Sequence, residues 1–243
     1  MCIRDSYWDV GDTKSITING QVGNTNFSNL SINVYIIGFN HNSAREGSNR
    51  IHFKIGKIGG TQVGLCDSQY GSNTSTSGAF TMNTSNTNSG GWNNSHMRKT
   101  VLGSDASPTS PRANTLLAAL PADLRAVMKP ITKYSDNTGG GNNTASYVTS
   151  TTDYLPLLAE FEIHGARTYA NSAEQNYQQQ YAYYQAGNSK VHYKHNATGT
   201  AANAWCRSVN AANTYIFCLV GTGGNPGDGN ASSSWAVAPG FAA

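Results

Sequence analysis

Catalysis needs nucleophiles, acids, bases or metal ligands at workable spacings, and this chain offers few. Its six histidines, His41, His52, His96, His164, His192 and His195, are scattered, and none forms an HExxH or equivalent ligand spacing. His192 and His195 lie three apart on a segment that alternates like a strand, which separates them across it. Glu160 and Glu162 lie two apart in YLPLLAEFEIHG; as a strand, that segment sets both carboxylates on one face, as a glycosidase pair requires. A pair on one strand has no opposed partner across a substrate, so these acids read as solvated or Arg-paired structural groups. Cys66, Cys206 and Cys218 lack CxxC spacing and read as strand-buried thiols, neither a zinc knuckle nor a disulfide framework. In NPGDGN, Asp228 and Asn230 are too few oxygens for a lectin-type calcium site. GTGGNPGDG lacks a lysine and a following helix, so it is a hairpin turn and not a phosphate cradle. Tyr177, Tyr181 and Tyr184, beside Gln178, Gln179 and Gln180, form a stripe that docks a helix against a sheet more readily than it stacks on sugars. The expectation is a protein without catalytic residues, metal or cofactor.

The bulk composition agrees with a loop-rich globular chain. Charged residues are 12% and hydrophobic residues 38%, with polarity supplied by Asn, Ser, Thr and Gly. Low charge with 13 Tyr argues against disorder. The formal charge of +3 is spread along the chain without a basic block, which argues against nucleic acid as a partner. No apolar run approaches the ~18–20 residues that span a bilayer, and no basic n-region precedes an apolar h-region, so neither membrane insertion nor a signal peptide is expected. Residues 1–6, MCIRDS, read as a non-native leader, and residues 7–243 as one domain.

The elements that must position these side chains run β, then α, then β. Residues 7–39 alternate on either side of Asn19-Gly20, a hairpin signal, and IHFKIGKI alternates again. Residues 67–95 read as a long ordered loop. Asn94 or Ser95 caps a short helix bearing Met97, Arg98, Val101 and Leu102. Leu116, Leu117, Leu120, Leu124, Val127 and Met128 recur at three- and four-residue steps, a helix with one buried face that Pro121 kinks or restarts. Residues 135–146 are loop, 154–165 a strand and 173–188 a helix; KVHYKHN, NAWCRS, TYIFCLVG and SSSWAVAPGFAA are strands.

YWDVGD, GFNH, GGWNNSHMR, LLAALPADLRAVMKPITK, LLAEFEIHG, the W-x-R-S of residues 205–208 and the terminal APGF together resemble an uncharacterised domain family of gut bacteria and their phages. The resemblance covers nearly everything after residue 6. It implies an α+β fold like that of C-type lectins: one domain, a mixed or antiparallel sheet, flanking helices, long loops, and terminal strands that come together. It is also similar to the variable proteins of diversity-generating retroelements, which keep a lectin-like scaffold and change its face. Related chains often carry a second Trp before Trp205, bulky or charged residues at position 206, and Pro followed by aromatics after Ser208, where this one has Ala204, Cys206, Val209, Asn210, Ala211 and Ala212.

On that resemblance Trp205, Arg207, Ser208, Pro239 and Phe241 are framework, with Trp205 and Phe241 as core aromatics and Arg207 paired to a buried carboxylate or to carbonyls. Cys206, Val209, Asn210, Asn213, Tyr215, Asn230, Ser234 and Trp235 are the display candidates, forming a pocket or flat face of amides and aromatics, or an ordinary polar loop. Proximity to the C-terminal strands favours binding. The expected function is ligand or receptor binding without catalysis, as a phage tail or virion component at a virion or cell surface, with a host-surface protein or glycan as partner and a homo-oligomer allowed. Two alternatives stand beside it. One is a structural assembly protein, the other a formylglycine-generating-type oxidase or glycoside hydrolase.

Overall fold

The computed structural model describes residues 7–74 and 77–243. The leader assigned to residues 1–6 lies outside them. The architecture is mixed α+β, dominated by sheet with short helices. Strands β1 (Thr13–Val22), β2 (Thr25–Phe39), β3 (Ile51–Ile58) and β4 (Thr61–Gly64) form an antiparallel run. A hairpin of β5 (Ile131–Asp136) and β6 (Val148–Asp153) stands apart from it. β7 (His192–Lys194) extends the first sheet parallel to β4, and β8 (Ala197–Ala202) pairs with β7. A second sheet in the order β11-β10-β9 is built from β9 (Ala204–Val209), β10 (Ile216–Val220) and β11 (Pro226–Asn230). The last strand, β12 (Gly240–Ala242), returns to the first sheet and pairs with β3.

Two hydrophobic clusters explain why the apolar runs are continuous. Along β10, Phe217 and Leu219 enter a cluster with Trp205, Val209, Val34 and Phe241, while Cys218 and Val220 enter another with Cys206, Tyr35, Ile37 and Tyr184. β9 and β10 are therefore buried on both faces, and such strands lose the apolar/polar alternation of a half-exposed one. All six residues of β9 are buried.

The GGWNNSHMR segment is a clamp on the end of β6. Trp92 Nε1 donates to Asp153 Oδ2 at 3.1 Å and Arg98 Nε to Asp153 Oδ1 at 2.7 Å, with both Trp92 and Asp153 fully buried. Ser95 Oγ accepts the Arg98 amide at 3.1 Å, and the turns that follow, Met97–Leu102, are a π-helix. Gly91 has φ +49°, and a Cβ there would land on the Asp136 carbonyl.

Several elements differ from the expectations. Asn19-Gly20 is a bulge inside β1; the chain reverses at Gly23-Asn24, between paired Val22 and Thr25, the Gly-X order of a II′ turn. The long loop holds two short helices, Ser68–Ser72 and Gly91–Asn94. The leucine-rich helix is two pieces, Leu116–Ala119 and Ala122–Val127, with Pro121 starting the second and Val127 exposed. Residues 154–159 run extended through the core, but Glu160–His164 is helical, because Glu162 Oε2 accepts the Ala159 amide at 2.9 Å and caps the turn. The 173–188 segment is a 3₁₀ turn, Ser172–Asn176, and a short helix, Ala182–Gln185, so Tyr177, Tyr181 and Tyr184 do not share one helix face. Tyr177 stacks on Tyr134 near the surface, while Tyr181 and Tyr184 are buried.

Candidate functional site

The side chains proposed as framework meet in the interior. Trp205 Nε1 donates to the Phe80 carbonyl at 3.0 Å, and Phe241 stacks on Phe53 with centroids 5.1 Å apart. Pro239 is buried. Arg207 is fully buried; its guanidinium forks onto both Glu162 carboxylate oxygens and also donates to Ser135 Oγ and the Leu157 carbonyl. Lys133 Nζ donates to Glu162 Oε1 at 2.9 Å, Glu46 Oε2 at 2.7 Å and Tyr181 Oη at 2.9 Å. Two bases thus neutralise two acids in one buried network. Burial alone raises the Glu162 carboxyl, but Arg207 and Lys133 hold it well below the usual carboxylate range. Glu46 is pushed up to about 7 by burial, against Lys133. His41, Glu46 and Glu162 offer ligand atoms within 4.8 Å of one another, a grouping invisible in their sequence spacing. The Lys133 ammonium bridges the two carboxylates, so the cluster already holds its cations.

Residues with reactive potential are quenched in the same way. Burial pushes the Cys66 thiol up to about 12 and the Cys206 and Cys218 thiols higher still, which leaves no thiolate for chemistry. Glu160 accepts the amides of Thr168, Tyr169 and Ala170, holding that loop in place. Neither glutamate faces a cleft, and on a helix they do not share the face that a strand would have given them.

The display candidates divide. Cys206 and Val209 are wholly buried in opposite clusters, and Ser234 is wholly buried with its hydroxyl on Asp67 Oδ2 at 2.6 Å; none belongs to an exposed face. Trp235 is half-buried and packs edge-on against Tyr70 at 5.2 Å; a Cβ on Gly229 would meet its Nε1 at 2.8 Å. Its bulk is used in packing beneath β11. Asn210 and Asn213 build the loop they occupy: Asn210 Oδ1 accepts the Ala212 amide at 2.9 Å and Asn213 Oδ1 accepts the Tyr215 amide at 3.0 Å. Asn210 Nδ2 reaches Asp228 Oδ2 at 2.7 Å and ties the loop to β11. Tyr215, 38% exposed, and Asn230 remain outward, with Ala212 and Thr214 exposed between them.

One residue that sequence reasoning missed organises this face. Asn88 is fully buried, and its Nδ2 donates to the Asn213 carbonyl at 2.6 Å and the Ile216 carbonyl at 3.1 Å. Its own amide donates to the Thr214 carbonyl at 2.9 Å, and its Oδ1 accepts the Gly140 amide at 2.9 Å. A single side chain therefore binds loops 84–90, 138–144 and 210–215 into one surface, and Asn83 adds residues 230–234 by donating its amide to the Ala231 carbonyl at 2.9 Å. Nothing distinguishes Asn88 among the many asparagines of its segment.

No protein family, curated protein or solved structure matches this chain. The functional reading therefore rests on the face itself. Its backbone is tied down from several sides, while its outer side chains, Thr214, Tyr215, Asn230 and Ser232, project from that fixed base. Such an arrangement presents donors, acceptors and one ring at little entropic cost on binding.

Proposed function

We propose that this chain is a ligand-binding protein of C-type-lectin-like design, a phage tail or virion component that contacts a host-surface molecule through the loop face around Tyr215. The observation that carries this reading is the pre-ordered surface fastened by Asn88, with outward residues that the fold itself does not use. The return of β12 to the sheet that holds β1 supports the lectin-like comparison, although β2 and β3 stand between them. The quenched thiols and paired glutamates favour binding over catalysis. Adsorption of the purified protein to a panel of bacterial cells tests it. Tyr215→Ala and Asn230→Ala together should abolish adsorption while leaving the thermal midpoint within a few degrees. Undiminished adsorption by the folded double variant removes the face from consideration.

A further inference from the structure

The face holds a clue to the class of ligand. Loops 84–90, 138–144, 210–215 and 230–234 contain no charged residue. They are composed of Asn, Ser, Thr, Gly and Ala with a single aromatic, Tyr215. Two acids border them: the buried Asp136 accepts the Thr138 and Gly139 amides, and Asp228, exposed on the adjoining strand beside Asn230, accepts from Asn210 Nδ2. With no Lys or Arg in these loops and a carboxylate at their border, the surface offers nothing to pair an anionic partner. It also lacks what a protein partner needs at an interface centre, which is a cluster of apolar, aromatic and Arg anchors. The other large exposed hydrophobic side chains, Tyr7, Trp8 and Val127, lie outside these loops.

What the face does offer matches a sugar. Asn213 commits its Oδ1 to the loop, and its Nδ2 bonds to nothing among the described residues, as is true of Thr214 Oγ1, Tyr215 Oη and the Asn230 side-chain amide. Amides and hydroxyls of this sort donate and accept at once, as pyranose hydroxyls do. The Tyr215 ring adds an apolar plate for the C–H face of a pyranose. From this charge balance and chemistry we infer that the ligand is a neutral saccharide, bound without calcium through Tyr215, Asn213, Thr214 and Asn230. The inference rests on the binding role proposed for this face.

The test has two arms. On an array of neutral, sialylated and sulfated glycans, the wild type should bind neutral members. That signal should be unchanged by EDTA and by raising salt to about 0.5 M, where a charged contact would be screened. Tyr215→Ala should weaken it about tenfold, and Tyr215→Phe much less, since the ring supplies the contact. Binding confined to acidic glycans, loss in EDTA, or no neutral glycan bound overturns the saccharide assignment. In the second arm, bacterial cells are oxidised with periodate before adsorption. Adsorption that survives periodate yet is lost in Tyr215→Ala means a protein receptor: the face stands and the ligand class falls. Adsorption indifferent to Tyr215→Ala on untreated cells means that the face itself was misread.

Discussion

Two buried side chains carry the most weight. Removing Arg207 leaves Glu162 sharing Lys133 with Glu46, a deficit of one positive charge in a dry site. Arg207→Met should therefore cost about 3–5 kcal/mol, measured by urea unfolding. Arg207→Lys should recover only part, because an ammonium cannot fork onto a carboxylate while also reaching Ser135 and the Leu157 carbonyl. Asn88→Ala removes the side-chain partner of the Asn213 carbonyl and of the Gly140 amide, and one of the two donors to the Ile216 carbonyl. Its expected cost is about 2–3 kcal/mol, with a larger loss of ligand binding than of fold, because the loops it fastens form the face. Calorimetry and glycan binding on the same sample separate the two effects. The resemblance implied a buried Arg207 paired to a carboxylate or to carbonyls, and the structure supplies both. Which carboxylate, 45 positions away, was not legible in the sequence.

Among the elements, the short helix Gly91–Asn94 links core to face, since its first residue abuts the β5 terminus and loop 84–90 leads into it. Gly91→Ala places a methyl against the Asp136 carbonyl at a left-handed φ, so it should cost about 3 kcal/mol or more and loosen loops 84–90 and 138–144 together. Faster amide exchange at Asn88 and Gly140, with β1 and β2 unchanged, is the expected signature. The elements also show where periodicity misleads. Alternation correctly located β2 and β3, whose lengths exceed the reach of local exceptions. It failed at residues 160–164, where a capping carboxylate turned an apolar run into a helix, and at Asn19-Gly20, where the bulge used a turn-like pair without reversing the chain.

For the whole molecule, buried histidines set the response to acid. Burial lowers His41 to about 3, His52 to about 2, and His164 and His195 to about 4; His192 lies well below its ordinary value. These groups stay neutral when folded but gain protons when unfolded below about 6.5, so stability is fully present above that pH and is lost as pH falls toward 4. Glu174 acts in the opposite sense. Burial raises it to about 7 against the Ser208 hydroxyl, the Asp136 backbone amide and the Gln178 side-chain amide, which donate to it, so the folded state holds a proton that the unfolded state releases between pH 4.5 and 7. In Glu174→Gln the loss on acidification from pH 7 to 4.5 should be steeper, by on the order of 3 kcal/mol. Urea midpoints of both proteins across that range give the comparison, and equal slopes would mean that Glu174 ionises normally.

By itself the sequence determined the β, α, β order of elements and the inward character of Trp205 and Phe241. Those properties follow from local periodicity and from side-chain chemistry that holds in any context. The tertiary structure decided which residues lie at the surface. Cys206 and Val209 stand in a strand covered on both faces, so neither side of it was open, and no local pattern could say that a second cluster lay behind it. It also decided that three segments poor in any signal of their own would be joined by Asn88 into one face, because hydrogen bonds to main-chain carbonyls 125 and 128 residues away leave no trace in composition or spacing.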